Sequence, residues 1–235
     1  MKTITWLSPQ DEPEWFPPLE QALDEPAGLL AAGGDLSTAR LLAAYRRGIF
    51  PWYSPGQPVL WWSPDPRAVL FPEEFRCTRS LAKTIRNAGF EVRIDADLRG
   101  VIEACAAPRP NSVGTWITAE MLAAYVELHR RGYAHSVETY HAGALAGGLY
   151  GVRLGRVFFG ESMFSRVRDA SKVALSRLVE ACIAGGIVVI DCQMASAHLE
   201  SLGSRRIPRN RFQALLREHV SLAPLPLGGR ASSKG

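Results

Sequence analysis

The feature that most constrains the fold is a series of five regular segments in the second half of the chain. Three of them alternate apolar and polar residues like strands. An amphipathic helix with Asp169 as its candidate N-cap follows, and after it comes a run of four apolar residues, Ile187–Ile190. A short, continuously apolar run is typical of a strand buried on both faces. The strand-like segments are His135–Tyr140, Ala144–Val152 and Arg156–Phe164. This order predicts an α+β fold with a mixed β-sheet flanked by helices.

The first 67 residues are different, because proline, glycine and tryptophan are dense there. Prolines in this number prevent long regular elements. One helix is predicted between Asp35 and Gly48, with Ser37 as its N-cap. We therefore predict a small, loop-rich N-terminal domain over residues 1–67, a larger domain over 68–227 and a disordered tail over 228–235.

Composition excludes several classes of protein. The chain has 235 residues, 47% of them hydrophobic, and lacks any stretch approaching the ~20 apolar residues of a membrane-spanning helix. The N-terminus has no apolar signal-peptide core, so we expect a cytoplasmic protein. The four cysteines form no CxxC pair and are interpreted as reduced thiols. The sequence contains no zinc motif and neither a GxGxxG nor a GxxxxGK[ST] motif, so we expect neither a metal nor a cofactor.

Charge is unevenly distributed along the chain. Lys and Arg number five against eight Asp and Glu through Arg67, and 22 against 15 afterwards. Four basic residues fall at spacings of three, four and three, which would place them in one stripe if the helix predicted over Ser80–Ala88 begins early enough. They are Arg76, Arg79, Lys83 and Arg86. The stripe indicates either a polyanionic partner or an ordinary solvated surface.

Two polar positions interrupt apolar strands. Asp191 and Gln193 come directly after the buried strand and, by alternation, project on one face, with Cys192 on the other. A carboxylate there needs hydrogen bonds and could orient the amide; the alternative is a turn-forming Asp beside an exposed Gln. Glu161 lies among large apolar residues, either as a strand-end carboxylate or as a group that awaits a cationic ligand.

The tryptophans also allow two interpretations. Trp52 and Trp116 stand in loops, and a loop tryptophan is either part of the core or open to stack on a nucleic-acid base. Composition and pattern alone leave both interpretations open.

Six sequence blocks, in this order, resemble the bacterial leucyl/phenylalanyl-tRNA–protein transferases. The resemblance extends from about Phe16 to Phe212, which is nearly the whole chain. The blocks are Gly28–Leu36 (GLLAAGGDL), Tyr45–Trp52 (YRRGIFPW), Trp61–Arg67 (WWSPDPR), Gly114–Thr118 (GTWIT), Phe159–Ser165 (FGESMFS) and Ile190–Gln193 (IDCQ). Six specific blocks in order are much stronger evidence than any single motif.

The resemblance implies an acetyltransferase-like (GNAT) fold for the larger domain. It also implies transfer of Leu or Phe, and Met less well, from tRNA to the α-amino group of proteins that begin with Arg or Lys. That transfer marks those proteins for N-degron degradation. The donors would be Leu-tRNA and Phe-tRNA, and the enzyme a cytoplasmic monomer. The CoA-pyrophosphate signature of acetyltransferases is absent from the sequence, so an acyl donor other than CoA is implied.

The family roles fall on matching positions. Asp191 and Gln193 would be the catalytic pair, with Asp191 orienting Gln193, and Glu161 would bind the acceptor's first residue. Trp52 and Trp116 would hold the terminal adenosine of the tRNA. The aminoacyl side chain would enter a pocket of Leu149, Phe158, Leu175 and Ile190, and the acceptor-stem phosphates would meet Arg76, Arg79, Lys83 and Arg86. Two alternatives are a CoA-dependent amine acyltransferase and a noncatalytic tRNA-binding module.

Overall fold

The computed structural model describes residues 2–108 and 117–227, and it has an α+β architecture with two sheets. The first sheet lies within the N-terminal part and has the strand order β1-β2-β4-β3. The strands and the helix of this part are β1 (Thr5–Leu7), β2 (Leu29–Gly33), helix α1 (Thr38–Arg46), β3 (Phe50–Pro51) and β4 (Leu60–Trp62). The short strands fit the proline-rich composition of this part.

Helix α1 forms as the sequence predicts. The Ser37 side chain accepts a hydrogen bond from the Arg40 backbone N–H and so caps the first turn. Gly48 follows the helix with a φ of 76°, a conformation that glycine adopts without steric cost. Tyr45, in the last turn, is completely buried and faces the rest of the protein. The predicted helix is confirmed.

The second sheet has seven strands in the order β11-β5-β10-β9-β8-β7-β6. Pairing is antiparallel except between β9 and β10, which are parallel and joined through a helix, so the sheet is mixed as predicted. The α+β prediction is confirmed. The strands are β5 (Arg67–Leu70), β6 (Glu91–Ile94), β7 (Ala134–His141), β8 (Ala144–Leu154), β9 (Val157–Ser165), β10 (Val189–Gln193) and β11 (Arg205–Ile207).

Helices flank this sheet, and helix α5 supplies the crossover from β9 to β10. The helices are α2 (Arg79–Asn87), α3 (Leu98–Ala106), α4 (Ala119–Arg130), α5 (Ala170–Ala184), α6 (Ala197–Ser201) and α7 (Arg209–His219). Among these helices in residues 2–108 and 117–227, none is long and apolar enough to cross a membrane.

Two details of the helices differ from the sequence prediction. Helix α2 begins at Arg79, where Thr78 caps it, so Arg76 lies outside the helix and the helix does not begin early enough for a stripe of all four basic residues. Asp169 precedes α5 with a φ of 64° and makes no capping hydrogen bond. Its carboxylate instead accepts from Lys172 Nζ at 2.8 Å, which satisfies it without a cap.

The N-terminal part packs directly on the seven-stranded sheet. A single apolar cluster includes Leu41 and Tyr45 of α1, Trp61 of β4, Tyr125 of α4 and Phe159 of β9. The Tyr45 and Phe159 rings lie 5.0 Å apart, centroid to centroid. Strand β5 begins at Arg67, next to the boundary predicted at 67/68, and pairs with β10. The predicted division into domains stays a prediction, and the predicted tail over 228–235 lies outside the described residues.

Candidate active site

A small apolar cavity opens where β8, β9, β10 and α5 meet. Its volume is about 140 Å³. The register places Ile190 of β10 opposite Phe158 of β9, and Leu149 of β8 opposite Met163 of β9, so neighbouring strands line it together. The four residues predicted for the aminoacyl pocket all line this cavity: Leu149, Phe158, Leu175 and Ile190. Its polar lining includes Glu161, Asp191 and Gln193.

A β-bulge at the end of β10 decides where Gln193 points. The pairing register shifts between Asp191 and Gln193. Gln193 has a φ of 61°, in the left-handed region that residues other than glycine rarely adopt. The Gln193 backbone N–H donates to Asp191 Oδ1 at 2.9 Å. The side-chain amide Nε2 donates to Glu161 Oε1 at 2.9 Å. Asp191 thus holds the backbone of Gln193, and Glu161 holds its amide.

The bulge changes two expectations from the sequence, the first of which came from strand alternation. Cys192 also lines the cavity instead of facing away from it. Burial raises the pKa of its thiol, with the Asp191 charge adding to the effect, so the thiol stays protonated. The orientation of Gln193 by Asp191 acts through the backbone N–H, whereas the predicted contact was with the amide.

Asp191 is completely buried and forms a bidentate ion pair with Arg67 of β5. Arg67 Nε donates to Oδ1 at 2.8 Å and Nη2 donates to Oδ2 at 2.7 Å. The guanidinium lies between two phenyl rings, 4.8 Å from the Phe50 centroid and 4.9 Å from the Phe212 centroid. A buried carboxylate needs such a partner. Arg67 therefore anchors the residue that shapes the bulge.

Glu161 is also buried, and its carboxyl group contacts three protein side chains. Tyr45 Oη donates to Oε1 at 2.9 Å, Tyr125 Oη donates to Oε2 at 2.7 Å, and Gln193 completes the set. Burial raises the pKa of Glu161 to about 7, although the hydrogen bonds from Tyr125 and Tyr45 oppose the shift. The pKa values of both tyrosines are raised well above 10, chiefly by burial and then by the nearby carboxylate.

Sequence reasoning did not assign Arg67, Tyr45 or Tyr125 to the site. Arg67 and Tyr45 do lie at the end and the start of two of the family blocks, so the blocks themselves carried a signal for both. Tyr125 lies outside every block, on a helix whose apolar spacing shows only a buried face.

The described residues among those predicted to bind tRNA do not line the cavity. Trp52 is 41% exposed and packs on Trp62, with centroids 5.4 Å apart. The four predicted basic residues are all exposed, three of them on α2: Arg76, Arg79, Lys83 and Arg86. Trp116 lies outside the described residues. Among the described residues, no cluster of three or more His, Cys, Asp or Glu side chains could hold a metal ion.

Comparison with protein families matches both parts of the chain. Residues 69–217 match the leucyl/phenylalanyl-tRNA protein transferase model, and residues 34–65 match the model of its N-terminal domain. Curated relatives described as leucyl/phenylalanyl-tRNA–protein transferases include one from Pseudomonas entomophila, 60% identical over 92% of this chain and 95% of the relative. Another, from Chromobacterium violaceum, is 58% identical over 92% of both chains.

Among solved structures, the matches are distant. The L-PGS structure from Bacillus licheniformis has a TM-score of 0.40 at 9% identity, and a GCN5-related N-acetyltransferase from Kribbella flavida has 0.39 at 11%. They cover 78% and 70% of this chain, which in turn spans 58% of each. Likenesses of this size carry no conclusion about the present site.

The family match and the relatives place the protein in the class of acyl-transferring enzymes, specifically the aminoacyltransferases. It belongs to the leucyl/phenylalanyl-tRNA protein transferase family. The resemblance noted from the six sequence blocks is thereby confirmed.

Proposed function

We propose that the protein transfers Leu or Phe, and Met less well, from aminoacyl-tRNA to the α-amino group of proteins that begin with Arg or Lys. The acceptors would thereby be marked for N-degron degradation in the cytoplasm, and the enzyme would act as a monomer. The observation that carries the proposal is the apolar cavity that ends at the Glu161–Gln193 contact. Such a cavity holds an unbranched-at-Cβ apolar side chain beside groups that handle an ester and an amine.

The size and lining of the cavity support the choice of donor. Leu149, Phe158, Leu175 and Ile190 offer only apolar atoms, and each is at least nine-tenths buried. An apolar pocket separates substrates that differ by one methylene by only ~1–3 kcal/mol. Tolerance of several apolar aminoacyl groups is therefore expected.

The geometry of Gln193 supports aminolysis at the polar end of the cavity. A carboxylate accepts hydrogen bonds only, so it turns the amide nitrogen of Gln193 toward itself. The amide oxygen is then the end that can accept a hydrogen bond from the incoming amine. Because an aminoacyl ester is already activated, the enzyme has mainly to position the two reactants. Glu161 engages the acceptor's N-terminal residue at the same place.

For the tRNA, we propose that Trp52 and Trp116 hold the terminal adenosine. Arg76 and the α2 residues Arg79, Lys83 and Arg86 would meet acceptor-stem phosphates. The exposure of the basic residues and of Trp52 supports this assignment. Phosphate contacts position a nucleic acid without reading its sequence.

Replacing Lys83 and Arg86 with Ala is expected to weaken tRNA binding most at low salt. Each lost phosphate contact lowers the slope of log Kd against log salt by about 0.7–0.9, so the double variant should lose up to about 1.8. Filter-binding titrations at several salt concentrations measure this slope. The matched control removes two exposed arginines from α7, Arg211 and Arg217. An unchanged slope in the α2 variant, or an equal change in the control, would contradict the assignment.

Transfer itself is tested with Leu-tRNA that carries radiolabelled leucine. Peptides beginning with Arg or Lys should acquire acid-stable label, and a peptide beginning with Ala should acquire none. Omitting or adding acetyl-CoA should make no difference. Equal labelling of all peptides would contradict the acceptor specificity. Leu-tRNA binding without any product would favour a noncatalytic tRNA-binding module instead.

A further inference from the structure

Four oxygens of three buried side chains form a closed ring of contacts beside the cavity. Tyr45 Oη lies 2.5 Å from Tyr125 Oη and 2.9 Å from Glu161 Oε1, while Tyr125 Oη lies 2.7 Å from Glu161 Oε2. The two phenols are completely buried, and Glu161 is 9% exposed where it lines the cavity. Positioning of the ester and the amine by Gln193 makes no use of the protons in this ring.

The number of protons in the ring depends on the ionisation state of Glu161. Each phenol supplies one proton, so an ionised Glu161 leaves only two protons for three oxygen–oxygen contacts. Two oxygens then face each other without a hydrogen between them. If Glu161 carries a proton, every contact is satisfied: Glu161 donates to Tyr45, Tyr45 donates to Tyr125, and Tyr125 donates to the other carboxyl oxygen. The ring has room for one more proton than the phenols supply.

The groups around Glu161 allow its carboxyl group to gain or lose a proton near neutral pH. Tyr45 faces it from α1, Tyr125 from α4 and Tyr150 from β8. The Asp191 charge on β10 favours the protonated carboxyl, and Arg67 on β5 opposes it. These two charges neutralise each other in their own bidentate pair, so burial dominates and the pKa of Glu161 lies at about 7.

We infer that Glu161 receives the proton that the acceptor's α-ammonium group must lose before it attacks the ester. Tyr45 and Tyr125 are positioning residues, because they hold the carboxyl group in the ring. The inference rests on the proposed function and deepens it. Glu161 then engages the acceptor through its α-amino group, and the first side chain binds elsewhere.

The proposed step moves two protons, forms one bond and breaks one bond. One proton moves from the ammonium nitrogen to a Glu161 carboxylate oxygen, which leaves a neutral amine. The amine nitrogen forms a bond to the ester carbonyl carbon, and the bond from that carbon to the ribose oxygen breaks. The ribose oxygen leaves with a second proton from the same nitrogen, and an amide remains. Glu161 later releases its proton to solvent, so the net products are amide, alcohol and one proton.

The test is the pH dependence of kcat/KM for an Arg-beginning peptide at saturating Leu-tRNA, measured from pH 6 to pH 9. In the Glu161→Gln variant, glutamine has the same shape as the glutamate side chain and can both donate and accept hydrogen bonds, but it cannot take up a proton. The variant depends on amine that is already neutral, which is roughly a tenth of the total at pH 7 for a pKa of ~7.7–8.0. We expect it to be about tenfold slower than the wild type at pH 7 and equal to it at pH 9.

Tyr125→Phe removes one phenol from the ring and leaves the Glu161 carboxyl group in place. The variant loses a hydrogen-bond donor to the ionised Glu161 carboxylate, so the pKa of Glu161 rises. The acid limb of the pH profile should therefore move up by about one pH unit. The matched control is Tyr133→Phe, which removes a phenol that donates to the Leu222 carbonyl oxygen, away from the cavity. Its profile should coincide with that of the wild type.

Several results would overturn the inference. One is a Glu161→Gln defect of the same size at every pH, which indicates a structural role. Another is a pH-independent rise in KM for the Arg-beginning peptide with kcat unchanged, which indicates an ion pair with the acceptor's first side chain. If Glu161→Gln fails to bind Leu-tRNA, an unshifted limb in Tyr125→Phe overturns the inference by itself. A wild-type enzyme that forms no acid-stable product at any pH would refute the proposed function instead.

Discussion

Asp191→Asn is expected to produce the largest combined loss of stability and activity. Arg67 would keep its charge in a fully buried place without a counterion, which typically costs about 3–5 kcal/mol of unfolding free energy. Turnover should fall on the order of 10²-fold, because displacement of Gln193 by about 1 Å has that effect on a positioned reaction. Affinity for Leu-tRNA should change little, since Asp191 is completely buried and its carboxylate is held by Arg67.

Denaturant unfolding, single-turnover transfer and tRNA titration measure these three quantities separately. A double variant, Arg67→Met with Asp191→Leu, separates stability from catalysis. Removing both charges of a buried pair is often neutral or stabilising, so the free energy of unfolding should recover. Transfer should stay slow, because leucine at position 191 offers the Gln193 N–H no acceptor. Near-normal transfer by the double variant would show that Asp191 only compensates the charge of Arg67.

Leu175→Phe is expected to change the choice of aminoacyl group. Leu175 projects from α5 into the cavity and is 4% exposed, so a larger ring there takes volume from the substrate. Transfer of Phe should fall relative to Leu by about 1–3 kcal/mol, which is ~10- to 200-fold in the ratio of kcat/KM values. Overpacking should cost a further ~1–3 kcal/mol of stability.

Parallel assays with Leu-tRNA and Phe-tRNA give the ratio directly. Val179→Leu is the matched control, because Val179 is a buried residue of the same helix that does not line the cavity. Its ratio should equal that of the wild type. If Leu175→Phe also leaves the ratio unchanged, the cavity is not where the aminoacyl side chain binds.

Local periodicity predicted much of the larger sheet. The alternation at β7, β8 and β9 and the apolar run before Asp191 correspond to observed strands. Helix α3 was missed. It carries Gly100 in its first turn, and glycine has a low helix propensity. Strand β5, four residues long, was also missed, since so short a segment has little periodicity of its own.

The site depends on contacts between residues that are far apart in the chain. Arg67 and Asp191 are 124 positions apart, and Tyr45 and Glu161 are 116 apart. No local pattern encodes such pairs, so the sequence could predict a buried carboxyl without its partner. The bulge at Gln193 was unpredictable for a similar reason: tertiary contacts stabilise a backbone conformation that glutamine rarely adopts.

The most direct test of the central claim is a crystal structure with a nonhydrolysable aminoacyl-adenosine mimic that carries a benzyl side chain. We predict that the benzyl group occupies the cavity between Leu149 and Ile190, with its carbonyl group next to the Gln193 amide. A benzyl group bound at any other place, with this cavity still empty, would contradict the account.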